Sequence, residues 1–118
     1  MRGRRAAQTT VRRLLDAWRA GDAAAVAAVL APRVTLTVDA AAVGGTPASG
    51  APAVAAALLR LSRGIAPEGF SVVEATGTPG ILLRTAGSVR GVVVIEAHRA
   101  RVARLWAILT PSKLTTWA

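Results

Sequence analysis

The fold is decided by residues 80–109, which read GILLRTAGSVRGVVVIEAHRARVARLWAIL. Polar and apolar side chains alternate through much of this stretch, as in half-buried β-strands, and short turns interrupt it. A similar run precedes it, so the chain has four strand-like segments, at Phe70–Thr76, Ile81–Thr85, Gly91–His98 and Val102–Leu109. Connections as short as Gly87-Ser88 and Arg99-Ala100 join antiparallel strands, so the sequence predicts an antiparallel meander.

Helical spacing dominates the front of the chain. Residues 8–20 predict a helix because their large apolar side chains recur at i, i+3, i+4 and i+7. Gly21 favours a left-handed C-terminal cap, and Asp22 favours an N-cap for a second helix at about 23–31. Pro32 is expected to end that second helix.

A strand and a third helix are predicted between these helices and the meander. Arg33–Asp39 alternates as a strand, residues 43–50 are rich in turn residues, and Pro52 begins a helix that runs to about Ser62. The resulting order of elements predicts one α+β domain over the whole chain. We expect residues 1–7 to be flexible and residues 115–118 to form a C-terminal tail.

The composition of the 118 residues excludes several kinds of site. The absence of Cys excludes a disulfide framework and a cysteine nucleophile, and a single His cannot build a zinc cluster. We therefore expect no metal and no cofactor. The apolar runs are too short to cross a membrane, and Arg12, Arg13 and Asp16 interrupt the place where a signal peptide would be apolar, so we expect a cytoplasmic location.

The formal net charge of +9 invites a nucleic-acid partner, but the arginines are scattered along the sequence. Nucleic acid is therefore not expected as a partner, and a solvated basic surface is the simpler interpretation. Nearly all of the 15 basic residues are arginines, and this bias resembles the residue usage of high-GC actinobacterial genomes.

Several strings in this order resemble the SnoaL-like, nuclear-transport-factor-2-like (NTF2-like) superfamily. Trp18–Asp22 resembles its corner between two helices. Val38-Asp39, Thr76–Ile81 and Leu109–Leu114 together look like the SnoaL-like domain at the C-terminus of certain actinobacterial extracytoplasmic-function sigma factors. The resemblance covers about residues 8–114. It departs from the pattern at Ala40–Ala42, where the relatives have glycines, and at Thr110, where they have Asn, and the helical regions with which a sigma factor binds DNA and polymerase are absent.

This resemblance implies a cone: a curved antiparallel sheet packed against about three N-terminal helices, with a pocket between the two. Enzymes, ligand-binding modules and regulatory domains all use this fold. We favour a non-enzymatic module that binds a small apolar ligand or a protein, and we expect a homodimer through the outer sheet face. The alternatives are an enzyme of the superfamily and a basic accessory domain that associates with transcription machinery.

Asp39 is the candidate catalytic residue, because the resemblance places it near the general base of ketosteroid-isomerase-like members. Burial beside apolar walls would raise its pKa and make it a usable base for a small apolar carbonyl substrate. However, the alignment that best fits the following residues puts Ala41 on the base, the chain has no Tyr, and Val92–Ile95 supplies no second carboxyl. Capping of its own loop is the other interpretation of Asp39.

The expected pocket residues are the large side chains and one arginine. They are Trp18, Phe70, Leu83, Arg84 and Trp106. Filling of the core is the alternative for the aromatic members, since alanine supplies little bulk. Trp117 is expected to be exposed or folded over the pocket mouth. Glu96 and His98 share one strand face and form either an acid–base pair or a salt-bridged ladder.

Overall fold

The fold consists of three helices and a curved, mixed, six-stranded sheet. The computed structural model describes residues 2–39, 47–75 and 77–109. A single 3-10 turn at Pro67–Gly69 leads into the meander. The elements, in chain order, are α1 (Arg2–Arg19), α2 (Ala23–Val29), β1 (Leu30–Asp39), β2 (Ala48–Ser49), α3 (Ala51–Leu61), β3 (Phe70–Ala75), β4 (Thr78–Thr85), β5 (Ser88–His98) and β6 (Arg101–Ile108).

The first two helices meet at the corner that the sequence predicts. Gly21 has φ +70, and the Asp22 carboxylate Oδ1 accepts a hydrogen bond from the Ala25 backbone N at 3.0 Å, which caps α2. Helix α1 begins at Arg2 rather than at residue 8, so it includes residues that we expected to be flexible. The early start is consistent with Ala6 and Ala7, since alanine is the best helix former.

Strand β1 begins earlier than predicted, at Leu30, and continues through Pro32. The pairing register shifts between Leu30 and Thr35, so Pro32 lies in an irregular part of the ladder. Proline is tolerated at such a bulge because it has no N–H to donate. The prediction that Pro32 separates a helix from a strand is therefore wrong: the helix ends at Val29 and the proline lies inside the strand.

The sheet has the strand order β2-β1-β6-β5-β4-β3. The predicted meander is confirmed, since β3, β4, β5 and β6 pair with their sequence neighbours in antiparallel fashion. The predicted curved sheet is mixed rather than antiparallel throughout, because β1 runs parallel to β6. The chain between these two strands contains α3 and the first three meander strands, which is long enough for a parallel pairing. The two-residue strand β2 lies in the predicted loop 43–50.

The helices cover one face of the sheet, which we call the inner face, and build the main core there. Trp18 at its centre is 1% exposed and meets Phe70 edge to face, with ring centroids 5.5 Å apart and an interplanar angle of 73°. Its indole Nε1 donates to the Leu58 carbonyl oxygen and to Ser62 Oγ, each at 2.9 Å. These two bonds fasten the end of α1 to the last turn of α3.

A second, smaller cluster lies on the opposite, outer face. Leu82 and Val92 are 4% and 0% exposed, and partly buried valines and Ile108 pack against them. Trp106 extends this cluster because it pairs with Val94 in the register between β5 and β6. We call this surface the outer apolar strip; its residues are Val73, Leu82, Val92, Val94, Trp106 and Ile108.

Candidate functional site

The predicted site residues divide between the two faces of the sheet. Trp18, Phe70 and Leu83 belong to the main core on the inner face. Asp39 and Trp106 lie on the outer face, where both line one open cleft. The structure therefore does not bring the six residues together. Three of the residues form a packed inner group, two lie together on the outer face, and the side chain of Arg84 is exposed.

The inner group fills the core. All three residues are buried, and Trp18 uses its polar atom on α3. Thr10 is the one buried polar residue within the described part of the chain, and its hydroxyl donates to the Ala6 carbonyl oxygen at 2.9 Å. Among the described residues, the interior therefore presents no buried titratable side chain.

Trp106 does not point into the cone, and the expectation that it lines the pocket there is wrong. Val102 and Leu105 both belong to the inner core, although strict alternation would put them on opposite faces. The register shift between Glu96 and Ala97 explains this, because the pairing moves by two residues along β6, from Arg104 to Val102, where it moves by one along β5. Beyond this bulge the phase is reversed, so Trp106 lies outside.

The outer cleft lies where β1, β5 and β6 run side by side. It has a volume of about 310 Å³, and its lining residues are Thr37, Asp39, Val94, Trp106, Ala107 and Ile108. Asp39 pairs with Ile108 at the end of the ladder, where its carbonyl oxygen accepts a hydrogen bond from the Leu109 N at 2.9 Å. This open, mainly apolar surface is the place where the structure puts the candidate base.

Charged side chains adjoin the aromatic member of the cleft. The Arg104 guanidinium carbon lies 5.6 Å from the Trp106 ring centroid, which is a cation–π geometry. Arg104 Nε also lies 3.9 Å from Glu96 Oε2, and both side chains are more than half exposed. An exposed pair of this kind stabilises the fold by well under about 1 kcal/mol, but it orients the guanidinium over the indole.

Glu96 and His98 are both exposed on β5, as expected for two residues that share a strand face. Their partners across the ladder are arginines: Glu96 is opposite Arg104, and His98 is opposite Arg101. Of the salt-bridged ladder that the sequence offered as one interpretation, the described residues contain the Glu96–Arg104 ion pair, and His98 contributes none. An acid–base pair would need an enclosing cavity, and neither side chain is buried.

Two further features of the described residues bear on the predicted metal and membrane classes. Within residues 2–39, 47–75 and 77–109, no group of three or more metal-ligating side chains is present. None of the helices in those ranges combines the length and the apolar character that a membrane crossing requires. Ala40–Ala42, Thr76, Thr110 and Trp117 were singled out in the sequence and lie outside the described residues.

The chain matches no family model and no curated protein. No residue in the sequence indicates the bulge that moves Trp106 to the outer face. The sequence likewise contains no signal for the parallel pairing of β1 with β6, so both features are known only from the structure.

Comparison with solved structures does identify relatives in fold. The extracytoplasmic-function sigma factor SigJ of Mycobacterium tuberculosis matches with a TM-score of 0.72 and 24% identity, over 93% of this chain. This chain spans only 44% of the length of that sigma factor. An NTF2-like protein of unknown function from Mesorhizobium loti matches with a TM-score of 0.65 and 18% identity, over 89% of this chain and 91% of its own. A SnoaL-like protein of unknown function from Burkholderia thailandensis matches with a TM-score of 0.60 and 20% identity, over 86% and 92%.

These similarities agree with the strings noted at Trp18–Asp22 and Val38-Asp39. The matched structures include a sigma factor of the class that those strings resemble, and proteins described as SnoaL-like and NTF2-like. The chain therefore has the same α+β fold as these SnoaL-like and NTF2-like proteins.

Proposed function

We propose that this chain is a non-enzymatic binding module that acts through the outer face of its sheet. One observation carries the proposal: the outer face of the sheet bears apolar side chains, which a solvated sheet face would lack. Antiparallel sheets with one solvated face carry polar residues there. On β5 and β6, the outer positions are instead occupied by Val92, Val94, Trp106 and Ile108.

The distribution of polar groups supports binding over catalysis. Acid–base catalysis depends on a titratable group held within reach of a substrate, usually in an enclosed site that perturbs its pKa. The described interior is filled by Trp18 and its apolar neighbours, and Asp39 lines an open surface cleft. These features favour a role in which the fold holds a binding surface on its outer face.

The occupant that fits the outer apolar strip is a second copy of this chain. The strip continues across β3, β4, β5 and β6, so a two-fold axis can place it against itself. Trp106 is the large anchor near the middle of the β5–β6 part, and Trp is the residue type most enriched among interface hot spots. Arg104 and Glu96 provide both charge signs at the rim, as a self-complementary surface needs.

Sedimentation equilibrium between 5 and 500 µM tests this proposal. We expect the wild type to reach twice its monomer mass, and Trp106→Glu to weaken association at least 100-fold, because it buries a charge against an apolar partner. Ala24→Glu is the matched control: it adds the same charge at an exposed position of α2 and should leave association unchanged. Val94→Thr keeps the shape of the side chain and should leave the chain folded. We expect it to weaken association about tenfold, and a loss of that size in a folded variant cannot be attributed to unfolding. A wild type that stays monomeric at 500 µM would refute the homodimer.

A small apolar ligand in the outer cleft is the second candidate occupant. The volume of about 310 Å³ is at the lower end of small-molecule sites, and Trp106 and Ile108 supply apolar contacts. Thermal unfolding against a panel of small apolar carbonyl compounds tests it: a stabilising compound should lose its effect in Trp106→Ala and keep it in Trp18→Phe. If no compound stabilises the chain and the chain stays monomeric, the binding-module proposal fails as a whole.

A further inference from the structure

Arginines that are far apart in the sequence lie at one end of the sheet. His98 lies opposite Arg101 at the tip of the β5–β6 hairpin, so Arg99 lies in the tip itself. In the neighbouring pairing, Leu30 of β1 lies opposite Val102. Arg33 therefore enters the sheet beside the same hairpin tip, on the other side of β6.

Helix α1 brings a fourth arginine to this end. A cleft of about 390 Å³ separates the start of α1 from the hairpin tip, and its lining residues are Ala6, Ala7, Thr10, Ala97, His98, Arg99 and Ala100. Arg5 is exposed and directly precedes the first of these residues. We call this end of the molecule, which carries the exposed residues Arg5, Arg33, Arg99 and Arg101, the basic pole.

Two acids lie at this end of the sheet: Glu96, and Glu74, which is opposite Pro79 in the β3–β4 ladder. None of the four arginines of the basic pole has an ion-pair partner among residues 2–39, 47–75 and 77–109. Glu96 is the nearest acid along the hairpin, and it pairs with Arg104 instead. Asp16 lies about 16 Å from Arg5 along α1, at 1.5 Å per residue. Asp39 lies at the opposite end of β1, beside Ile108.

The chemistry of this pole matches phosphate. Guanidinium groups bind phosphate oxygens in a two-pronged geometry that an ammonium cannot reproduce. The positive end of the α1 macrodipole points to the same side and has the same sign. The described residues that form the pole include no aromatic side chain, whereas proteins that bind single strands stack bases on such rings.

We propose that the basic pole binds the phosphate backbone of duplex DNA without reading its sequence. This proposal departs from the expectation, based on the scattered arginines, that nucleic acid is not a partner. The scatter exists in the sequence only, because the β1–β6 pairing and the packing of α1 gather four of these arginines at one end. The site is separate from the outer apolar strip, so a homodimer would carry two such poles.

Fluorescence anisotropy with a labelled 20-base-pair duplex of scrambled sequence measures the effect. Four phosphate contacts predict a slope of about −3.6 for log K against log salt concentration, which weakens binding roughly 150-fold between 50 and 200 mM salt. No binding at 50 mM salt, or a slope shallower than about −1, would overturn the proposal.

A matched pair of charge-removing variants separates the pole from the overall charge. Arg99→Asn with Arg101→Gln removes two contacts, so the slope should fall to about −1.8 and the 50-to-200 mM loss to roughly tenfold. Asn is chosen because Arg99 has φ +52, a conformation that Asn tolerates. Arg60→Gln with Arg63→Gln removes the same charge beside the end of α1 that Trp18 fastens to α3, and should leave the slope near −3.6.

Competition then distinguishes phosphate from acidic protein. Polyglutamate matched to the duplex in total charge should displace it poorly, because carboxylates on a flexible chain do not reproduce the phosphate spacing. Equal displacement by polyglutamate, or equal loss of DNA binding in both double variants, would overturn the assignment. The former result would indicate an acidic protein surface as the partner.

Discussion

Trp18→Phe tests most sharply how the core is held together. The substitution keeps an aromatic ring beside Phe70 but removes the indole N–H and the second ring. The hydrogen bonds account for about 1 kcal/mol. The loss is not larger because neither acceptor is orphaned: the Leu58 carbonyl oxygen still accepts from Ser62 N at 3.1 Å, and Ser62 Oγ still donates to the Leu59 carbonyl oxygen at 3.2 Å.

The missing ring adds a packing cost. A residual cavity of roughly 35 Å³ at about 24 cal/mol per Å³ costs about 0.8 kcal/mol. The free energy of unfolding should therefore fall by about 2 kcal/mol. With an unfolding entropy near 0.25 kcal/mol/K for a chain of this size, Tm should fall by about 8 °C.

Urea unfolding followed by far-UV circular dichroism measures this change without depending on tryptophan fluorescence. Trp106→Phe is the matched control, since it makes the same substitution on the outer face and should cost about 0.5 kcal/mol. An equal m-value in both variants confirms that the compactness of the states is unchanged. If Trp18→Phe costs under about 0.5 kcal/mol, or if the two variants cost the same, Trp18 is not the centre of the core.

Three further substitutions test local features by the same assay. Ala100→Gly should stabilise the fold by about 0.5–1 kcal/mol, because Ala100 has φ +66 in the hairpin tip. Ala97→Gly within β5 should instead destabilise it. Changes of the same sign in the free energy of unfolding would contradict this account of the turn. Asp22→Ala should cost about 1 kcal/mol through loss of the α2 cap, whereas Asp16→Ala, which removes exposed ion pairs, should cost less than about 0.5 kcal/mol; the reverse order would refute the cap. Gly69→Ala should cost about 2 kcal/mol or more, because the added Cβ meets the Arg84 carbonyl oxygen and lies 2.9 Å from Ile65 Cγ2, and a tolerated alanine would show that this contact yields.

Much of the fold follows from local sequence signals. The helix corner depends on Gly21 and Asp22, whose conformational and capping preferences act over a few residues. The meander depends on turns too short for any other connection. Such signals are readable because the residues that interact are close together in the chain.

The site was less predictable because it depends on contacts between distant residues. The side chain of Trp106 points outward because of one bulge in β6. No residue near Ala97 or Val102 indicates that register shift in the sequence. The neighbourhood of Arg33 and Arg101 exists only because β1 pairs with β6 in parallel. Without the β1–β6 pairing, these arginines are only scattered positions in the sequence; with it, they lie at the same end of the sheet.

We propose that this chain binds through the outer face of its sheet. A concentration series of amide ¹H–¹⁵N spectra, from 20 µM to 1 mM, tests it most directly because each backbone position reports separately. We predict that the shifts and line broadening concentrate at Val92, Val94, Trp106 and Ile108. Changes confined to the helices, or spectra that do not change with concentration, would contradict the claim.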